Sequence, residues 1–258
     1  MIRFKKNSPI IVLIGKSATG KDTIKNKIIN ENNFHSSISF TTRPARDGEK
    51  NGKEYFFVNK KEFDSLRERN QILEHTEYNV CGKLFEYGLG IDSFVNDVPN
   101  IVIVNPIGLK QLVEFEEIKE RLFIVQTILP DDEIKKRYFE REKSSNVKDL
   151  KARYEARKLR DDEDFKDLND IIAKYHLKNI TVENFDTDET VQKILQSFYK
   201  TFLLNRRVKV LNLSSIDSFK REKGLVIKIN NEESLITDWE NSNINIDLNP
   251  VIDEIEVE

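Results

Sequence analysis

The stretch GKSATGKDT, residues 15–23, follows an apolar run and carries the spacing G-x-x-x-x-G-K in Gly15, Gly20 and Lys21. In such a loop successive backbone N–H groups and a helix N-terminus surround a β-phosphate, while the lysine reaches the β/γ oxygens. Lys16, Ser17, Ala18 and Thr19 supply the intervening amides. The next position ordinarily offers a hydroxyl to Mg²⁺, yet here it is Asp22, with Thr23 beside it. Two readings follow. The carboxylate of Asp22 holds a magnesium water in place of the hydroxyl, with Thr23 as a further oxygen donor, or its charge repels the phosphates; Lys21, downstream arginines and the helix N-terminus favour the first.

A second group with chemical promise lies in SISFTTRPARDGEKNGKEYFF, residues 37–57, where Arg43 and Arg46 bracket a proline ahead of Tyr55. Arginines fork onto phosphate oxygens and a phenol adds a neutral donor, although such a set also suits a solvated turn. Glu74, in QILEHTEY, can accept both donors on a guanine edge, N1–H and N2–H₂. A third group is basic: residues 135–160 hold eleven Lys/Arg and four Asp/Glu. Alone this reads as a solvated helix laced with i,i+4 pairs, but downstream of a phosphate loop it offers cations to a triphosphate.

These residues need a scaffold, and the apolar pattern supplies one. PIIVLIG (9–15) reads as a strand buried on both faces, and residues 21–32 place Ile24, Ile28 and Ile29 on one side of a helix. Further buried strands are expected at 101–104, 121–128 and 179–185, separated by helical or mixed segments, which predicts a mostly parallel sheet flanked by helices. Between 38 and 98 shorter polar pieces and a helix at 60–69 predict a small inserted mixed sheet. Residues 131–178 are expected to be helical. After about 205 the β-prone runs RRVKVLNL, GLVIKIN and NINIDL predict a small β-rich unit anchored by Trp239, and residues 230–258 hold nine acidic residues with no Lys or Arg.

Composition narrows the function further. With 42 Lys+Arg against 45 Asp+Glu and a net charge of -3, no whole-chain field draws in nucleic acid. Cys81 stands alone, which rules out an intrachain disulfide, and His35, His75 and His176 are too scattered in sequence to suggest a histidine metal site. Cys81 itself reads as a small apolar residue. The apolar run near the N-terminus is too short for a signal peptide or a membrane span, so a cytoplasmic location is expected.

The phosphate loop, SFTTRPARDGEKNGKEYFFV, ILE, YG and a buried strand ending in NPIG together resemble the guanylate kinase family over about residues 1–200. The run T-T-R-P-x-R-x-G-E-x-x-G-x-x-Y is the most specific part. The resemblance implies an α/β P-loop fold of three layers with an acceptor-binding lobe (38–98) and a helical lid (135–160). A domain over 1–204 is expected from it, beside the unit of unknown role over 205–258 that composition sets apart. The resemblance also implies transfer of the γ-phosphoryl of ATP to GMP or deoxy-GMP with Mg²⁺.

Carried over by position, Arg43, Arg46, Tyr55 and Tyr87 match the acceptor-phosphate ligands, and Ser39 and Glu74 the guanine contacts. Arg137 and Arg141 match lid arginines, Arg153 an arginine reaching the phosphates from the next helix, and Asn184 an asparagine near the donor adenine. The departures are Asp22, Asn105 where the family has an aspartate near the guanine amino group, and a longer 74–87 segment. These touch metal or base recognition, and leave two rivals: a different nucleotide or phosphorylated-ribose acceptor, or a non-catalytic protein-binding module. The tail leaves open a protein partner, self-association, or a regulatory flap over the nucleotide site whose acidic residues mimic phosphate; no membrane or nucleic-acid partner is expected.

Overall fold

The computed structural model describes residues 8–46, 48–80, 82–96, 98–143 and 149–203, together with strands within 208–239. At its centre is β1 (Ile10–Ile14), whose five side chains are all fully buried because each face of the strand is covered. Strands β7 (Asn100–Ile103) and β8 (Leu122–Ile128) flank it in parallel, with β2 (His35–Ser36) beyond β7 and β9 (Lys178–Glu183) beyond β8.

Side chains alternate across this sheet, so Ile11 and Leu13 meet α1 (Lys21–Glu31) and α8 (Thr187–Leu203), while Ile10, Val12 and Ile14 meet the opposite helices. Those opposite helices include α3 (Pro106–Leu112) and α7 (Leu168–Lys174). The result is three layers, helix over sheet over helix. An aromatic cluster closes the first layer: Phe198 of α8 lies 5.5 Å from Phe34, 5.7 Å from Phe123 and 5.1 Å from Phe202.

The strand order reverses at β1, so the loop at 15–20 emerges at a crevice beyond the carboxyl ends of the strands. One edge of this crevice carries a four-stranded mixed sheet in the order β4-β3-β6-β5, built from β3 (Ser39–Thr41), β4 (Phe56–Phe57), β5 (Ile72–Val80) and β6 (Lys83–Gly90). Helix α2 (Lys60–Glu68) starts on a capping box in which Asn59 and Glu62 satisfy each other's backbone N–H. The other edge carries α5 (Asp131–Glu142) and α6 (Leu150–Phe165).

Helix α6 runs on to Phe165, within the region 131–178 expected to be helical and past the end of the basic segment at 160. The expected strand NINIDL lies outside the described residues, as does Cys81. A strand not expected, β12 (Glu232–Trp239), is the central member of an antiparallel sheet with β10 (Val208–Leu211) and β11 (Val226–Ile229). Its paired glutamates and Asp238 mask the β signal, because acidic residues are poor strand formers. No helix among the described residues is long and apolar enough to cross a membrane.

Candidate functional site

The phosphate loop is held from below. The buried hydroxyl of Thr19 donates to the Lys16 carbonyl at 2.8 Å and lies 2.9 Å from the Thr127 hydroxyl on β8, so it faces the scaffold and leaves the loop's outer rim to backbone amides. Ala18 adopts φ 62° and Gly20 φ 88°, the left-handed turns that aim successive N–H groups to one side. Gly20 also leaves no room for a side chain, since a Cβ there would run into the amide of Asn184. That amide donates to the Thr19 carbonyl at 2.9 Å, while Asn184 Oδ1 is buried without a hydrogen-bond partner.

Lys21 folds back to donate to the carbonyls of Gly15 at 2.7 Å and Lys16 at 2.9 Å. Burial lowers its ammonium to about 8, with Asp22 and Asp161 opposing that shift and Arg157 and Arg141 reinforcing it. Asp22 and Thr23 are exposed on the first turn of α1.

Across the crevice, Arg43 is buried and forked onto Glu49, with both N–H···O distances at 2.9 Å. Its guanidinium carbon lies 5.5 Å from the Tyr55 ring and 5.6 Å from that of Phe57. Tyr55 packs edge-on against Tyr87 at 5.8 Å; burial, Tyr87 and Asp22 push its phenol up to about 12, which keeps it a neutral donor at pH 7. The Asp22 carboxylate is thus among the charges that act on the Tyr55 phenol. Arg46 is exposed and its backbone N–H donates to Glu49 at 2.7 Å.

Ser39 and Glu74 sit opposite Leu89 from either side of β6, which puts them on one face of the mixed sheet. Glu74 is buried and accepts the Thr76 hydroxyl at 3.3 Å, and burial raises its carboxyl to about 7. Gly108 of α3 closes over it, since a Cβ there would approach Glu74 Oε2 to 2.7 Å. Asn105 is less free than its sequence position implies: its Oδ1 caps α3 by accepting the Gly108 N–H at 2.6 Å, and its amide donates to the Tyr78 hydroxyl. The β5–β6 hairpin places Tyr78 against Asn105 and Tyr87.

A raised carboxyl pKa has a measurable consequence. Between the unfolded value near 4.5 and about 7 the folded state holds more protons than the unfolded one, so Glu74 lowers stability as pH rises through that window. Glu74→Gln is expected to raise stability at pH 8 by on the order of 2 kcal/mol and to change it little at pH 4, read from melting curves at the two pH values.

On the helical side, Arg137 bonds Glu133 at 2.9 Å and the Phe185 carbonyl at 3.4 Å, beside Gly20. Arg141 is exposed, paired with Glu142 at 3.2 Å and stacked on Tyr138. Arg153 is exposed and stands apart from the cleft lining, whereas Arg157, one turn further on, lines the cleft together with Lys16 and Ser17. Sequence spacing does not single out Arg157, Tyr78, Asp161 or Asp162. His75 is the only histidine in a group of possible metal ligands among the described residues: its ligand atoms and those of Glu77 and Glu86 lie within 4.8 Å of one another. Lys60 at 2.7 Å and Arg67 at 3.5 Å already approach the buried Glu86 carboxylate, so cations of the protein fill the place a metal would need.

The family model described as guanylate kinase matches residues 7–198. The chain belongs to the guanylate kinase family. It is 30% identical over 196 residues to a guanylate kinase from Clostridium tetani, covering 73% of this chain and 85% of that one. It is 34% identical over 150 residues to one from Ehrlichia chaffeensis, covering 55% and 69% respectively. A solved guanylate kinase from Anaplasma phagocytophilum gives a TM-score of 0.48 at 21% identity, over 78% of this chain and 97% of that chain. The matched span of the family model takes in the loop, the mixed sheet, α5 and α6.

Proposed function

We propose that this protein transfers the γ-phosphoryl group of ATP to GMP or deoxy-GMP with Mg²⁺. The observations that carry this reading are the anion-cradling loop with Lys21 at the carboxyl ends of the central strands and Arg43 preorganised on Glu49 beside Tyr55. Loop amides from Lys16 to Gly20 and Lys21 hold the donor phosphates, and Asn184 lies against the loop at the donor end. Arg43, Arg46, Tyr55 and Tyr87 hold the acceptor phosphate, while Ser39, Glu74 and Asn105 meet its base.

Transfer breaks the bond from the γ-phosphorus to the β–γ bridging oxygen and forms one to an acceptor phosphate oxygen. The step requires alignment and charge neutralisation more than a strong base. Arg137, Arg141 and Arg157 supply mobile cations from α5 and α6, with Arg153 available by reorientation of α6. Closure of these helices keeps water from taking the phosphoryl group. The exposed oxygens of Asp22 and Thr23 suit Mg²⁺, a hard cation that takes few protein ligands and keeps its waters. When bound, the ion neutralises charge on the donor phosphates. A binding-only role leaves the loop lysine and the surrounding arginines without a purpose.

One observation favours a shifted acceptor. Asn105 commits an oxygen lone pair to its helix cap and its amide to Tyr78, which alters the acceptors open to a guanine amino group. The test is ADP release from ATP and Mg²⁺ with GMP, dGMP, AMP, CMP, UMP or dTMP. Turnover confined to GMP and dGMP is the expected outcome. Turnover on another acceptor moves the specificity and keeps the reaction class, and folded protein inactive across the panel overturns the reading.

A further inference from the structure

The loop that would cradle phosphate is in contact with carboxylates of its own chain. Asp161 Oδ2 accepts the Ser17 backbone N–H at 2.6 Å, and Lys16 Nζ donates to Asp162. These two aspartates follow one another in the last turns of α6, and α6 is tied down by Lys158, which pairs with Asp131 of α5 at 2.6 Å and with Asp162 at 3.2 Å. The same charge reaches further into the loop, where Asp161 opposes the lowering of the Lys21 ammonium by burial. An aspartate carboxylate and a phosphate present the same thing to an N–H group or an ammonium, namely anionic oxygen acceptors. A backbone N–H has one hydrogen to give, so Ser17 cannot serve Asp161 and a phosphate oxygen in full at once.

We propose that Asp161 and Asp162 are an internal substitute for phosphate, seated on the loop until a nucleoside triphosphate displaces them. The proposal rests on reading residues 15–23 as the triphosphate site and adds a gate to it. The gate keeps the amide of Ser17 and the ammonium of Lys16 satisfied between turnovers, and it sets the donor affinity. Where the carboxylates hold the loop nine-tenths of the time, the apparent dissociation constant for the donor is about tenfold above the intrinsic one. The turn that carries Asp161 also carries Arg160, whose guanidinium bonds the Asn79 carbonyl at 3.2 Å and stacks on Tyr78 at 5.3 Å, which links the gate to β5.

The test is equilibrium binding of ATP with Mg²⁺, of inorganic tripolyphosphate and of AMP to the full chain, without an acceptor. The variants are D161N/D162N, Asp161→Asn alone, and E163Q/D164N, which removes the same charge from neighbouring positions of α6. The expected result is about tenfold tighter ATP and tripolyphosphate binding by D161N/D162N, part of that gain for Asp161→Asn, and little change for AMP or for E163Q/D164N. Unchanged or weaker triphosphate binding by D161N/D162N overturns the proposal while leaving the site in place. An equal gain in E163Q/D164N overturns it too, as a general charge effect. If the unaltered protein binds neither ATP nor tripolyphosphate, the reading of the loop falls and the gate falls with it.

Discussion

Replacing Lys21 with alanine is expected to lower turnover about 10²- to 10³-fold, the range for loss of one positioned charge at a developing anionic centre. The side chain is preorganised to stabilise such a centre, because the carbonyls of Gly15 and Lys16 fix its ammonium at 2.7 and 2.9 Å, close to the amides of its own loop. Its pKa near 8 leaves it mostly protonated at pH 7, and an incoming phosphate favours the charged form further. Folding lowers this pKa from 10.5, so the charged form is disfavoured in the native state below about pH 8, and that cost fades as pH rises through the window. Alanine removes the cost along with two hydrogen bonds. The variant is thus expected to melt within a few degrees of the parent at pH 7, and a collapse in stability would show that Lys21 is a scaffold residue instead.

Arg43→Ala is expected to raise the acceptor KM about 10²-fold while leaving the dissociation constant for ATP within about twofold, the scale of a truncated, hydrogen-bonded charge pair. Arg43 is buried, spans both oxygens of Glu49 and lies over two aromatic rings, which fixes the plane of its guanidinium before any phosphate arrives. Lysine cannot reproduce that fork, so Arg43→Lys is expected to recover little of the loss. Steady-state kinetics with the acceptor varied, beside direct ATP titration, checks both statements. Equal losses in acceptor and donor binding would mean that Arg43 maintains the crevice as a whole.

Much of this is legible in the chain because the chemistry is local there. The loop, β1 and α1 are contiguous, so apolar run, glycine spacing and lysine all point the same way. The same holds for Arg43 through Tyr55, whose turn and short strands lie within one stretch. What fails to show is whatever depends on how a helix is rotated or where a distant one lands. Arg153 and Arg157 are a turn apart on α6, yet Arg157 lines the cleft, and no spacing rule sets that phase. The basic segment ends at 160, immediately before the aspartates that the fold returns to Ser17 across 144 residues of sequence. Asn105 shows a subtler limit: its residue type is plain, but not that its oxygen caps α3.

The aromatic cluster under α8 bears on how the chain can be divided. The family match ends at Phe198, whereas the packing continues to Tyr199 and Phe202, and Phe202 lies 6.4 Å from Phe123 on β8. Truncating at the edge of the match would strip Phe202 from the sheet and bare the rings of Phe123 and Phe198 to water, a patch prone to self-association. A cut meant to isolate the nucleotide-handling part belongs after residue 203, where the helix ends.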